Sequence, residues 1–291
     1  MLKTPFNYIG GKYKLLPQII DKFTNIDVFY DIFGGGGDIS FNINSNQTIL
    51  FDKNRQLINI YQHLDDTFIP NLEKLIKDRQ LSKINKDGFL ELRKYYNEKL
   101  KDKYNKEAAV VCYCLLCHSF NNFISFNKKS EFNVPFGMKR STFNPSMKKN
   151  LQSFIEHKKN KTFSFVYSDF NDIKLDKITD KDLVYLDPPY LITTGSYERS
   201  AELKWNEEKE LKWNEEKELE LYEFIKKLDK KEIRFILSNV IEHKGKMNSL
   251  LINFVNENDL IMKQLDFHYK NCSYQSKNEE KKTIEVLISN F

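Results

Sequence analysis

Short apolar runs alternate with segments of helical period along most of this chain, and that alternation limits the possible folds more than any other feature. The runs at 27–33, 48–51, 162–167, 182–186, 232–237 and 283–288 are rich in β-branched or aromatic residues and bounded by turn formers, as strands are. Segments 55–64, 216–228 and 247–256 carry helical spacing between them. Strands alternating with helices predict a mostly parallel sheet covered on both faces, an α/β fold. At 291 residues and 40% hydrophobic, the chain can bury one sizeable core and carry a smaller inserted module. Its longest apolar run, 108–116, is well short of the roughly 20 residues that span a bilayer, so no membrane partner is expected. Four cysteines, three of them clustered, do not make a disulfide framework. The expectation is a soluble, cytoplasmic protein with reduced thiols.

Residues 65–157 break the alternation. They read as helices, with 107–118 the clearest, followed by a stretch rich in Phe, Asn and Lys that suits a loop or hairpin. The net charge of the chain is only +5, too mild to mark a nucleic-acid binder. Between Lys128 and Lys161, however, nine basic residues stand against two acidic ones, with Phe132, Phe136, Phe143 and Phe154 interleaved. Basic side chains displace counterions from phosphates and aromatic ones wedge or stack, so this segment suits a nucleic-acid face. On charge alone, a solvated surface in a Lys-rich protein remains open.

Two turns carry the chemistry. Asp31-Ile32-Phe33-Gly34-Gly35-Gly36-Gly37-Asp38 follows a strand and precedes a helical pattern, where glycines let backbone approach a ligand closely. Ser40 stands where a dinucleotide fingerprint wants glycine, and Asp38 would repel phosphate, so a ligand without phosphates fits better. Asp52 ends the next strand, where a carboxylate can accept from two ribose hydroxyls; capping ahead of Asn54 is its other reading. The second turn, Asp187-Pro188-Pro189-Tyr190, ends the run at 183–186. Two prolines fix a stiff extended turn at the sheet's carboxyl edge. There the Asp187 carboxylate and Pro188 carbonyl can accept both hydrogens of an exocyclic amine while Tyr190 stacks on the ring. That arrangement suits methylation of an amine rather than a carbon.

These motifs, in this order, resemble the alpha-group, Dam-like DNA adenine-N6 methyltransferases. Asn7-Tyr8-Ile9-Gly10-Gly11-Lys12 resembles the family's N-terminal cofactor loop, Phe33 to Gly37 its glycine motif, and Ser168-Asp169-Phe170 its acidic adenine-side motif. Phe132-Asn133-Val134-Pro135-Phe136-Gly137 resembles its recognition hairpin and Ser238-Asn239 its later strand-end motif. The resemblance implies a Rossmann-like, doubly wound methyltransferase sheet (1–62 and 158–291) interrupted by a mainly helical target-recognition domain (63–157). It implies that Tyr8, Lys12, Phe33, Gly35, Gly37, Asp52, Asp169 and Phe170 contact S-adenosylmethionine. Asp187, Pro188, Pro189 and Tyr190 would then hold a flipped adenine, and Asn121, Asn127, Asn133, Pro135, Lys139 and Arg140 would meet double-stranded DNA. A cognate restriction endonuclease acting on the same site is a further implied partner. RNA adenine, a protein amide, or DNA binding with impaired turnover are the competing readings. Family members often carry Arg where this chain has Ser125, so the target sequence does not transfer.

Three further features are read structurally. Cys112, Cys114, Cys117 and His118 invite a haem or zinc reading, but they sit in an apolar helical stretch and are expected in the core, with no metal. The octapeptide LKWNEEKE occurs at 203–210 and again at 211–218; eight residues rotate a helix by about 80° beyond whole turns, so the copies would not share a face. A duplication in a tolerant surface segment is expected. The acidic run at 207–223 is expected to be the exposed face of a helix.

Overall fold

A computed structural model describes residues 1–8, 10–20, 23, 25–193, 213–265 and 283–291. The elements are α1 (Leu16–Ile20), β1 (Ile26–Asp31), β2 (Ser45–Asp52), α2 (Arg55–His63), α3 (Phe68–Asp78), α4 (Lys86–Tyr95), α5 (Lys106–His118) and α6 (Pro145–Lys159). They continue with β3 (Thr162–Tyr167), β4 (Leu183–Leu186), α7 (Glu215–Lys230), β5 (Phe235–His243), β6 (Lys246–Met247), α8 (Ser249–Glu257), β7 (Ile261–Gln264) and β8 (Thr283–Ser289). The chain is mixed α/β, as the alternation predicts. It packs as two compact units, one of residues 1–16 and 34–168, the other of 17–33 and 169–291.

In the first unit β2 and β3 pair in parallel from Gln47↔Thr162 to Asp52↔Tyr167. α2 lies between them in sequence, and its Gln62 donates to the Phe165 carbonyl of β3. The core is aromatic: Tyr61 stacks on Phe165 at 5.1 Å and Phe41 meets Phe154 edge-on at 4.3 Å. α5 is buried around its whole circumference from Ala108 to His118, as a helix that is apolar all round is when it lies in a protein core. Its cysteines are core residues; burial pushes the Cys112 thiol up to about 12, and the His118 ring bonds back to the Cys114 carbonyl at 2.9 Å.

The second unit carries β1, β4 and β5 in parallel, with β8 running antiparallel between β5 and β7. Every residue of β4 is buried, which explains why Leu183-Val184-Tyr185-Leu186 reads as a continuous apolar run rather than an alternating one. Asp182 anchors the opposite end of that strand by accepting from the Val28 and Thr179 backbone N–H groups.

The Asn-rich composition acquires a physical use here. Asn54, Asn85, Asn105, Asn144, Asn214 and Asn248 each cap a helix by accepting from a backbone N–H in its first turn. Two sequence expectations are corrected. The run at 232–237 becomes a strand only from Phe235, because Glu232, at φ +56°, still belongs to the turn that closes α7; the strand then continues to His243 because β8 supplies an antiparallel partner. The glycine motif leads into hydrogen-bonded turns over residues 38–43, not into a regular helix.

Candidate active site

In the first unit the glycine turn is held by backbone bonds at both ends. Gly34 N–H donates to the Phe51 carbonyl at 2.8 Å, and Gly37 N–H closes back on the Gly34 carbonyl at 2.7 Å. Gly35 and Gly37 have φ of +47° and +77°, the left-handed region where a side chain is strained. A Cβ on Gly35 would stand 2.9 Å from the Tyr8 ring, and one on Gly37 would stand 2.2 Å from the Phe41 ring. Glycine is therefore required both by backbone angle and by contact.

Asp52 ends β2 and turns its carboxylate onto this loop. Oδ2 accepts from Gly35 N–H at 2.9 Å and Oδ1 from Asn54 N–H at 2.6 Å. Burial raises its pKa, while those two backbone donors oppose the rise. Of the sequence readings of Asp52, capping is shifted by one turn element: Asp52 steadies the approach to α2, whose cap is Asn54, and it also braces the glycine turn. Tyr8 lies half-buried against Gly35 and Gly36, with its phenol pushed upward by burial and by the negative field of Asp52. Tyr61 donates its hydroxyl to the Gly35 carbonyl at 2.8 Å. Lys12 is buried, with Nζ 3.2 Å from the Gly10 carbonyl. Asp38, which sequence reasoning used only to argue against phosphate, accepts from Thr4 Oγ1 at 3.3 Å and Tyr13 N–H at 3.2 Å, and so fastens the N-terminal loop to the glycine turn.

In the second unit Asp187 follows the last paired residues of β4, Tyr185 opposite Asp31 at the end of β1 and Leu186 opposite Leu237 of β5. Pro188 is buried, Pro189 exposed, and Asp187 and Tyr190 half-buried. The Tyr190 hydroxyl donates to Asp187 Oδ1 at 2.8 Å and lies 3.3 Å from Ser238 Oγ. Burial and the Asp187 charge both raise the Tyr190 phenol well above its ordinary value, so it remains a donor. Ser238 and Asn239 are buried within β5, not at its end: β5 outlasts β4 because β8 pairs with it, Ser238 opposite Leu287. The register Leu186↔Leu237 nevertheless places Ser238 level with Asp187. Phe33 follows β1 and Phe170 opens the turn after Asp169, which accepts from Asn171 N–H at 3.1 Å; the two rings meet at 5.5 Å.

A family model for the D12 class N6 adenine-specific DNA methyltransferase matches residues 8–269, nearly the whole chain. The chain belongs to this family. Type II methyltransferase M.FokI of Planomicrobium okeanokoites and modification methylase StsI of Streptococcus sanguinis are each 38% identical to it over 297 residues. Those alignments cover all of this chain and 43% of each relative, so the chain spans less than half the length of either. A DNA adenine methylase of Serratia marcescens is 31% identical over 186 residues, 63% of this chain and 65% of its own. The resemblance to the Dam-like group is thereby confirmed.

The residues read as a DNA face come together in one loop of the first unit. Antiparallel bridges Ser119↔Phe136 and Phe126↔Phe132 close it as an irregular hairpin. Asn121, Pro135, Lys139 and Arg140 are exposed, and Asn121 and Lys139 have φ of 55° and 61°. The Pro135 carbonyl accepts from Phe120 N–H at 2.7 Å, and Asn133 N–H donates to the Ser125 carbonyl at 3.3 Å. Asn127 differs from expectation: its side chain accepts from the Lys129 and Glu131 backbone N–H groups and donates to Glu131 Oε2 at 2.8 Å, so it builds the tip of the hairpin.

The acidic run and the repeat are corrected in part. Copy 203–210 lies outside the described residues, but Trp213 and Glu218 of the second copy are buried, at 7% and 0% exposure. Glu218 shares a helix face with Leu221, Tyr222 and Ile225, all buried, and that i, i+3, i+4, i+7 spacing was the signal that sequence reasoning passed over. Among the described residues, no group of His, Cys, Asp and Glu is arranged to hold a metal, and no helix is long and apolar enough to cross a membrane.

Proposed function

We propose that this chain transfers a methyl group to N6 of an adenine flipped out of double-stranded DNA, with S-adenosylmethionine as the donor. The observation that carries the reading is the Asp187 turn at the end of a wholly buried strand, its carboxylate already an acceptor for Tyr190 and level with Ser238.

The first-unit turn suits a nucleoside without phosphates. Gly35 and Gly37 hold the turn's left-handed backbone close against the Tyr8 and Phe41 rings, and Asp52 offers a buried carboxylate beside it while Asp38 is engaged with the N-terminal loop. The reading assigns Tyr8, Lys12, Phe33, Gly35, Gly37, Asp52, Asp169 and Phe170 to the cofactor. When bound, that cofactor supplies an electrophilic methyl on a sulfonium centre, so no protein nucleophile is needed. The work of the protein is placement. Asp187 and the Pro188 carbonyl accept the two amine hydrogens, which draws the nitrogen lone pair out of conjugation with the ring, and Asp187 is the acceptor for the proton that the nitrogen sheds. Tyr190, with its hydroxyl held by Asp187 and Ser238, presents a fixed ring for stacking.

Residues 63–157 are assigned to target recognition, with Asn121, Asn133, Pro135, Lys139 and Arg140 on the DNA side and Asn127 shaping the loop. The names of the relatives, a type II methyltransferase and a modification methylase, support a place in a restriction–modification system beside an endonuclease, in the cytoplasm where DNA is modified. Labelled cofactor offered with duplex DNA, RNA and protein acceptors tests the reading. Label should enter adenine of the duplex, and Asp187→Ala should lose transfer by about a thousandfold or more while cofactor affinity stays within about twofold. Full activity in that variant, or label in RNA or protein instead, would overturn the assignment.

A further inference from the structure

Trp213 stands at the start of α7 with its ring centroid 5.7 Å from Phe33, edge-on at 81°, and 6.0 Å from Phe170. Its indole N–H donates to Glu218, which is fully buried one helical turn on. Glu218 also accepts from the Tyr222 hydroxyl at 2.9 Å and from Asn239 Nδ2 at 3.2 Å. A buried carboxylate with three neutral donors is costly to desolvate, and only well-aimed hydrogen bonds make it tolerable. What those bonds achieve is a fixed indole. Phe170 is buried while Phe33 is only half-buried, so the cluster keeps one aromatic surface partly open.

We propose that Trp213, oriented by Glu218, is a positioning residue that sets the ring planes of Phe33 and Phe170 for the purine of the cofactor, so that these two residues of the second octapeptide copy form the support of that subsite. The inference rests on the S-adenosylmethionine reading above. It explains why a repeat with an acidic, apparently solvent-directed sequence contains a tryptophan and a glutamate in the interior: edge-to-face packing fixes a ring more firmly than aliphatic contact does.

The test uses the full chain, with S-adenosylhomocysteine as the probe, read by calorimetry, and with KM measured separately for S-adenosylmethionine and for duplex DNA. Trp213→Ala should weaken the probe and raise KM for the cofactor about tenfold, with KM for DNA within about twofold. Glu218→Gln, which keeps an acceptor for the indole, should shift both less than Glu218→Leu. The chain has two tryptophans, so Trp205→Phe leaves Trp213 as the sole tryptophan, read by excitation at the red edge where tyrosine does not absorb. Its emission should change on saturation with the probe, whereas that of Trp213→Phe should not. These two proteins decide the matter even if the alanine variant fails to fold. Unchanged probe affinity in a folded Trp213→Ala, or silent Trp213 emission in a Trp205→Phe protein that binds the probe, overturns the proposal and leaves the methyltransferase reading standing. A wild-type chain that binds no probe overturns both, and the two failures are thereby told apart.

Discussion

The glycine turn of the first unit and the Asp187 turn of the second are both loops at strand ends, yet they are fixed by different means. At the glycine turn the restraints are mainly backbone bonds and a buried carboxylate, Gly34 N–H to Phe51, Gly37 N–H to Gly34, and Gly35 and Asn54 N–H to Asp52, with one hydroxyl, that of Tyr61, on the Gly35 carbonyl. Left-handed φ values and ring contacts exclude any other residue at Gly37. At the Asp187 turn the Tyr190 hydroxyl bonds Asp187 and meets Ser238, side-chain restraints that stand beside a backbone bond from Thr193 N–H to the Tyr190 carbonyl. Backbone restraints cannot be exchanged without refolding, whereas hydroxyls rotate and can accept a new partner at small cost.

The sharpest way to break this contrast is at Gly37. Gly37→Ala should lose about 3 kcal/mol of stability in urea melts, from φ strain plus the collision with Phe41. Gly10→Ala, at φ +82° with no neighbour within 4 Å, should lose only about 1 kcal/mol. Equal losses would show that backbone angle alone, and not the close approach of Phe41, sets the requirement. Tyr190→Phe removes the hydroxyl but not the ring, and should cost about 1 kcal/mol. A loss as large as that at Gly37 would mean that the Asp187 turn is as rigidly built as the glycine turn.

Glu218 gives a smaller, pH-dependent effect. Burial raises its pKa above the ordinary 4.5, so the folded state favours the protonated form. The stability linked to this group is full at low pH and is lost as pH rises through the folded-state value. Wild type should therefore lose ground to Glu218→Gln in urea unfolding as pH rises above about 4.5, and a gap that widens in favour of wild type would reverse the sign of the argument. The smallest effect belongs to the repeat. Removing residues 203–210 leaves the Trp-Asn-Glu-Glu-Lys-Glu sequence joined to Leu219 unchanged, so cofactor affinity should stay within about twofold of wild type, as read by calorimetry. A large loss would show that the spacing from Tyr190, and not only the second copy, matters.

Local physics made much of this legible in advance. The buried run before Asp187, the two prolines and the glycines after β1 announce their roles because each is dictated by backbone geometry within a few residues. The Asn caps belong to the same class, since each stands directly before a helix and accepts from a backbone N–H three residues on. Ser238 was harder to place: its level beside Asp187 depends on parallel register with β4, and its mid-strand position depends on β8, which follows it by some 45 residues.

What the sequence determined by itself was therefore the class of fold, the two chemical turns and the family, since periodicity, proline and glycine act over short range. Tertiary packing alone decided that Asp38 would latch the N-terminal loop and that the Glu218 carboxylate would be met by Asn239 of β5. Each of these polar groups could equally well have faced water, and only the arrival of distant backbone or side-chain partners made the interior arrangement the more stable one.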